Sequence, residues 1–99
     1  MASFAHENGP YVNEDGDPGF RRNDYAWNQE TNLINIDSPA GVGYSVCGDP
    51  KECDFDDNNS ADDNLQVVLA VLQLFDQIKD NDLYIAGESY AGVYVPKLI

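Results

Sequence analysis

Basic residues are scarce in this chain of 99 residues. Five Lys and Arg stand against 18 Asp and Glu, so the formal net charge is −13 with the single His neutral. A charge of that sign repels phosphate backbones and anionic lipid, so we expect neither nucleic acid nor a membrane surface as a partner. No apolar run approaches the ~20 residues that a bilayer-spanning helix needs. The first residues also lack the basic and apolar regions of a signal peptide.

Histidine and cysteine are also scarce. One His and two Cys leave the ligand set of a tetrahedral zinc site incomplete, and we expect no metal and no cofactor. Cys47 and Cys53 enclose a short polar stretch that contains a Gly and a Pro. This spacing allows either a local disulfide, in an oxidising compartment, or two inert thiols. Asn58 begins an acceptor triplet for N-glycosylation, Asn58-Asn59-Ser60, which points to the same compartment.

The composition changes along the chain. Residues 1–32 are rich in Asn, Asp, Gly and Pro and have no sustained hydrophobic period, which predicts an irregular loop region. Residues 33–99 alternate between β-type and helical patterns. A long irregular segment is improbable in a compact domain of this size, because its backbone groups need partners. We therefore interpret residues 1–99 as part of one larger domain.

The pattern of residues 33–99 predicts one βαβ unit. β-branched runs at 33–37 and 82–86 predict strands, and apolar residues at 65–78 recur with the spacing of one helical face. Ser60 and Asp63 have the spacing of a capping box before that helix. Such a crossover joins parallel strands with a right-handed connection, and parallel sheets have both faces covered. The predicted fold class is α/β, with this chain a fragment of a larger parallel sheet.

A candidate catalytic motif directly follows the second predicted strand. In the run Gly87-Glu88-Ser89-Tyr90-Ala91-Gly92, small residues stand two positions before and after Ser89. A nucleophile elbow needs this arrangement, because small neighbours let a strained strand-to-helix turn pack tightly while the serine hydroxyl projects. Gly87, Ala91 and Gly92 would supply that geometry. The alternative is a glycine-rich strand exit at which Ser89 merely caps a helix.

Four blocks of sequence resemble the serine carboxypeptidases, a family with the α/β-hydrolase fold. They occur in the order and approximate spacing of that family and cover about nine-tenths of the chain. The blocks are Glu7-Asn8-Gly9-Pro10, Tyr25-Ala26-Trp27-Asn28, the run from Ile36 through Asp37-Ser38-Pro39 to Ser45, and the run from Gly87 to Pro96. The chain resembles the portion of the family from just after the oxyanion loop to just after the nucleophile elbow.

The resemblance implies roles for individual residues. Ser89 would be the nucleophile, and the backbone N–H of Tyr90 would be one donor of the oxyanion hole. The Tyr90 side chain would line the pocket for the residue before the scissile bond. Glu7 and Glu88 match the two glutamates that bind the terminal carboxylate of the substrate. Two ionised glutamates would repel that carboxylate, so at least one must be protonated, which predicts peptidase activity at acidic pH.

The general base of such a reaction is missing from the sequence. A serine nucleophile needs a base and a group that orients it. In α/β-hydrolases the acid and the histidine follow the nucleophile, and His6 precedes it. We therefore expect the triad Asp and His beyond Ile99, the rest of the oxyanion hole before Met1, and an inactive isolated chain.

The resemblance implies the substrates and the compartment. The substrates would be the C-termini of peptides or proteins, and the location would be the lysosome, the vacuole or the secreted fraction. The remainder of the parent domain would be needed to complete the sheet. Two other interpretations stay open: an acyltransferase of the same fold, and a truncated, non-catalytic product.

Overall fold

The computed structural model describes residues 3–13, 16, 18–49, 51 and 53–99. The chain divides into two compact units, Met1–Asn35 and Ile36–Ile99.

The first unit is built on a short hairpin. Strand β1 (Tyr11–Val12) pairs antiparallel with strand β2 (Arg21–Arg22), with Tyr11 opposite Arg22 and Val12 opposite Arg21. A π-helical turn (Ser3–Glu7) precedes the hairpin and a 3₁₀ turn (Trp27–Gln29) follows it. This hairpin lies inside residues 1–32, for which the composition predicts an irregular loop region. Its strands have two residues each, too few for a period of two to be visible.

A buried asparagine organises the loops of this unit. The Asn23 side chain is 6% exposed. Its Nδ2 donates to the backbone carbonyls of Gly9 at 2.9 Å and Glu7 at 3.2 Å, and its Oδ1 accepts from the backbone N–H of Tyr25 at 3.0 Å. Irregular backbone must find such partners when it lies away from water. Asn23 therefore ties the segment of Glu7 to the segment that follows β2.

The second unit contains a long helix, α1 (Asp57–Leu74). Asp56 is its N-cap: the carboxylate accepts from the backbone N–H groups of Asn58 and Asn59 at 2.7 and 2.8 Å, and the Asn59 side chain accepts from the backbone N–H of Asp56 at 2.9 Å. The predicted capping box at Ser60 and Asp63 is therefore wrong, because the helix begins one turn earlier. Ser60 is buried inside the first turn.

The long helix ends earlier than its apolar pattern predicts. It stops at Leu74, and a 3₁₀ turn (Asp76–Ile78) follows. A second helix, α2 (Ala91–Leu98), ends the chain and packs against α1. Residues 82–88, between the 3₁₀ turn and α2, lie outside helix and strand.

The two predicted strands of the βαβ unit are not formed in the structure. Residues 33–37 and 82–86 are not in strand conformation, and among the described residues β1 and β2 make the only sheet. The apolar side chains of residues 82–86 are exposed, including Tyr84 at 85%, and in residues 33–37 Ile34 is exposed while Leu33 and Ile36 are half-buried. A parallel strand exists only through hydrogen bonds to neighbouring strands. The residue pattern of these segments is thus typical of strands in a buried sheet, whereas several of their apolar side chains are exposed to solvent here.

The buried core of the described residues is small. Its apolar members are all small or medium side chains: Ala5, Val12, Ala26 and Ala61. Many large apolar residues of α1 and of the flanking segments are exposed instead, such as Leu69 and Leu74. In the described part of the chain, no helix combines the length and the apolar character needed to cross a membrane.

Candidate active site

Ser89 lies on a tight turn between residues 82–88 and helix α2. Its φ is +57°, and it is the only described residue other than glycine with a positive φ. An L-residue rarely adopts that region, because its Cβ approaches the backbone, so such residues persist where the surrounding structure holds them. Ser89 is also exposed. A positive φ at an exposed serine shortly before a helix is one feature of a nucleophile elbow.

Gly87 explains how the turn can be so tight. A Cβ built on Gly87 would overlap the Cβ of Ala91 and would lie 3.0 Å from Cγ2 of Val95. Ala91 and Val95 are one turn apart on the same face of α2, so this face packs directly on the backbone of Gly87. A Cβ on Gly92, in contrast, would meet nothing within 4 Å.

The turn is closed by backbone hydrogen bonds that run into the helix. The N–H of Ala91 donates to the carbonyl of Glu88, that of Gly92 to Ser89, and that of Val93 to Tyr90, at 2.9 to 3.0 Å. Within the part of the chain that the structure describes, no group accepts a hydrogen bond from the N–H of Tyr90.

Tyr90 also connects the turn to the start of α1. Its hydroxyl donates to the carboxylate of Asp57, 3.2 Å from Oδ1 and 3.4 Å from Oδ2. This hydrogen bond, together with the negative charge of Asp57, raises the pKa of the Tyr90 phenol above its ordinary value. The Tyr90 ring also makes an edge-to-face contact with Tyr94, with centroids 5.0 Å apart.

The two glutamates of the resemblance lie in different units. Glu88 is exposed in the turn, next to Ser89. Glu7 is exposed at the end of the turn Ser3–Glu7 in the first unit, and His6 is exposed beside it. The roles assigned to Glu7, Glu88 and Tyr90 therefore stay predictions.

The run from Asp37 to Ser45 forms a loop closed by Asp37. Oδ2 of Asp37 accepts from the backbone N–H of Tyr44 at 2.9 Å, and its backbone carbonyl accepts from the Ser45 hydroxyl at 2.5 Å. Gly43 has a φ of +57°, and a Cβ there would overlap the Asp37 carboxylate. The Ser38–Pro39 peptide bond is cis. The lack of a side chain on Gly43 thus permits the Asp37 carboxylate to approach its backbone closely.

The disulfide alternative for the two cysteines is confirmed, since Cys47 and Cys53 are bonded to each other. Asn58, the acceptor of the glycosylation triplet, is exposed in the first turn of α1, and its Oδ1 accepts from Nζ of Lys97 at 2.6 Å.

Two residues with clear structural roles were missed by the sequence analysis. Asn23 and Asp57 each bind partners far away in sequence, Gly9 and Tyr90 respectively. Neither belongs to a hydrophobic period or a short motif that signals such a contact. Asp57 in particular belongs to an acidic, Asn-rich stretch, residues 54–59, in which nothing marks it out from its neighbours.

Comparison with known proteins decides the family. The family model described as serine carboxypeptidase matches residues 1–99. The chain belongs to the serine carboxypeptidase family. Members of this family have the α/β-hydrolase fold.

Curated serine carboxypeptidases from plants and a mammalian relative align over nearly the whole chain. Serine carboxypeptidase-like 44 of Arabidopsis thaliana is 44% identical over 92 residues, 93% of this chain and 19% of that protein. Serine carboxypeptidase 24 of the same plant is 45% identical over 96 residues, 95% of this chain and 20% of the relative. The lysosomal protective protein of Mus musculus is 40% identical over 92 residues, 93% of this chain and 19% of the relative. The chain thus spans about a fifth of the length of the relatives it matches.

Proposed function

We propose that this chain carries the nucleophile of a serine-type carboxypeptidase, with Ser89 as the attacking residue. The observation that carries the proposal is the backbone of Ser89, which is a non-glycine residue at positive φ on an exposed turn before a helix. In the proposed reaction, Ser89 Oγ attacks the last peptide carbonyl of the substrate and the N–H of Tyr90 donates to the developing oxyanion. The C–N bond breaks and the acyl group is transferred to Oγ of Ser89, while the triad His proposed below takes the hydroxyl proton and gives it to the amino group of the leaving C-terminal amino acid. Water then hydrolyses the acyl-enzyme.

The proposal includes the rest of the α/β-hydrolase sheet. Residues 33–37 and 82–86 become two of its parallel strands when the remaining four-fifths of the domain supply their neighbours. The exposed apolar side chains of both segments and of α1 support this, because such residues are buried in a parallel sheet covered by helices. The triad Asp and His come from the same remainder, since His6 precedes Ser89 in the chain.

Glu7 and Glu88 bind the terminal carboxylate of the substrate in this proposal. Two carboxyl groups can do so only when at least one is protonated and donates a hydrogen bond. Substrate binding therefore weakens when both carboxyl groups are ionised. Replacing Glu7 by Gln in the complete protein should extend peptide hydrolysis to higher pH, because Gln donates at every pH. An unchanged pH profile in Glu7→Gln would remove Glu7 from this role.

The proposed compartment follows from the relatives and from two features of the chain. The mouse relative is named a lysosomal protein. The Cys47–Cys53 disulfide and the exposed Asn58, which begins the acceptor triplet, both fit a protein of an oxidising compartment. We propose a lysosomal, vacuolar or secreted protein that is glycosylated at Asn58.

The activity is tested on the complete protein that carries residues 1–99. Two peptides of equal sequence, one with a free C-terminal carboxylate and one with a C-terminal amide, are compared as substrates. The proposal predicts release of the last amino acid from the free peptide only, and loss of this release in Ser89→Ala. Hydrolysis that persists in Ser89→Ala would assign the reaction to another residue, and equal cleavage of both peptides would exclude a carboxypeptidase.

A further inference from the structure

We propose that Asp57 is a positioning residue for the reaction at Ser89. Its carboxylate holds Tyr90, the residue after Ser89, and thereby holds the turn that presents the serine and the adjacent backbone donor. The inference rests on the proposed function and adds a residue to it. Asp57 lies 33 positions before Tyr90 in the chain, so no local motif connects the two.

The hydroxyl of Tyr90 is held by a hydrogen bond and its ring by a packing contact. The hydroxyl lies 3.2 and 3.4 Å from the two carboxylate oxygens of Asp57, so both oxygens share one donor. The ring meets Tyr94 at an interplanar angle of 70°. Tyr90 is nevertheless 56% exposed, and burial alone does not hold it in place. The hydrogen bond to Asp57 is the directional contact that fixes the phenol.

Asp57 is itself on a firmly held part of the second unit. It is the first residue of α1, and the preceding Asp56 caps the helix through the N–H groups of Asn58 and Asn59. A carboxylate in the first turn of a helix is also favoured by the helix dipole. The start of an 18-residue helix therefore provides a fixed point to which the turn at Ser89 is attached.

A second contact joins α1 to the far end of α2. Nζ of Lys97 donates to Oδ1 of Asn58 at 2.6 Å. Tyr90, Tyr94 and Lys97 are spaced i, i+4 and i+7, so they share one face of α2. Removing Asp57 releases the end of α2 nearest Ser89, whereas removing the Lys97 ammonium releases the opposite end. The two substitutions therefore separate an effect on the turn from a general loosening of the two helices.

The expected kinetic consequence follows from where Tyr90 acts. A donor of the oxyanion hole must lie 2.7–3.1 Å from the position of the oxyanion, and its contribution is made in the transition state. A turn that is less well held loses this alignment while substrate binding is largely retained. Loss of the Asp57 contact should therefore lower kcat rather than raise KM.

The test measures kcat and KM of the complete protein and its Asp57→Ala and Asp57→Asn variants. We expect kcat to fall by about 3- to 10-fold in Asp57→Ala, the range of one hydrogen bond of ordinary strength, with KM changed less than about 2-fold. Asp57→Asn keeps an acceptor and should recover part of the loss. In a Tyr90→Phe background, Asp57→Ala should have no additional effect. Lys97→Met is the control for helix packing and should retain kcat.

Several results would overturn the proposal. An unchanged kcat in Asp57→Ala would do so, as would an equal loss in Lys97→Met or an undiminished effect of Asp57→Ala in the Tyr90→Phe background. Circular dichroism of each variant shows whether a loss of kcat reflects unfolding. If Asp57→Ala is unfolded, the kcat of Asp57→Asn is used instead, because Asn preserves the shape of the side chain. If the complete protein has no activity that depends on Ser89, the proposed function fails and the positioning role fails with it.

The contact itself has a readout that needs no activity. The ring ¹³Cζ resonance of Tyr90 in the complete protein is identified by its loss in Tyr90→Phe. The carboxylate of Asp57 raises the pKa of this phenol, so the resonance should titrate at lower pH in Asp57→Asn than in the parent chain. Equal titration in both chains would show that Asp57 does not hold Tyr90 and would overturn the proposal independently of the kinetics.

Discussion

Gly87 and Ala91 lie so close together that a Cβ on Gly87 would overlap the Cβ of Ala91. This contact brings the first turn of α2 directly onto the backbone that leads into Ser89. The serine at φ +57° is therefore flanked on one side by a residue that must be glycine. The geometry of the turn thus depends both on the packing of Ala91 against Gly87 and on the positive φ of Ser89.

The first prediction concerns Gly87→Ala. The added methyl group has to displace Ala91 and Val95, and overpacking of this kind costs about 1–3 kcal/mol. Urea denaturation followed by far-ultraviolet circular dichroism measures the loss. The matched control is Gly92→Ala, since a Cβ there meets nothing within 4 Å and alanine favours the helix by about 0.5–1 kcal/mol. Equal stability of the two variants would contradict the close contact at Gly87.

The second prediction concerns the backbone of Ser89. Because glycine tolerates a positive φ and alanine does not, Ser89→Gly should be about 1 kcal/mol more stable than Ser89→Ala. The same denaturation experiment compares them. At Ala70, an exposed position inside α1, Ala70→Gly should instead lower the stability by about 1 kcal/mol. A more stable Ser89→Ala than Ser89→Gly would mean that Ser89 is not in the left-handed region.

The third prediction concerns pH and the cap of α1. The backbone N–H groups of Asn59 and Asn58 hold the pKa of the Asp56 carboxyl below its ordinary value of 3.8, helped by the charge of Lys97 and opposed by slight desolvation. A carboxyl whose folded pKa is lower than its unfolded pKa stabilises the fold above the unfolded value. That stabilisation is lost as the pH falls through the lowered pKa.

Helix content against pH measures this effect. The parent chain should lose helix on acidification below about pH 4, and Asp56→Asn, a neutral cap, should lose less of its helix over the same interval. Asp63→Asn removes an exposed carboxyl of the same helix and should retain the parental acid sensitivity. If Asp56→Asn and the parent chain have the same acid transition, the cap makes no contribution to it.

Local patterns predicted the parts of the structure that local interactions form. The long helix was evident because apolar residues recur along one face, and the turn at Ser89 was evident because Gly87 and Ala91 flank the serine. The helix start was misplaced because Ser60 and Asp63 match the same spacing rule that Asp56 and Asn59 satisfy in the structure. Sequence spacing alone does not decide between two overlapping caps.

Long-range contacts could not be predicted in the same way. The hydrogen bond between Tyr90 and Asp57 joins residues 33 positions apart, and nothing in the acidic run around Asp57 distinguishes that residue from its neighbours. The segments at 33–37 and 82–86 have the composition of buried parallel strands, yet strand formation depends on neighbouring strands. Their residue pattern is typical of strands with neighbours in a parallel sheet, and the described residues do not supply such a sheet.

The nucleophilic role of Ser89 is tested most directly by covalent labelling. The complete protein is treated with a serine-reactive phosphonate, and the modified residue is identified by peptide mass spectrometry, with Ser89→Ala treated in parallel. The account predicts one stoichiometric adduct, on Ser89, and no adduct in the variant. An adduct on a different serine of the complete protein, with Ser89 unmodified, would contradict it.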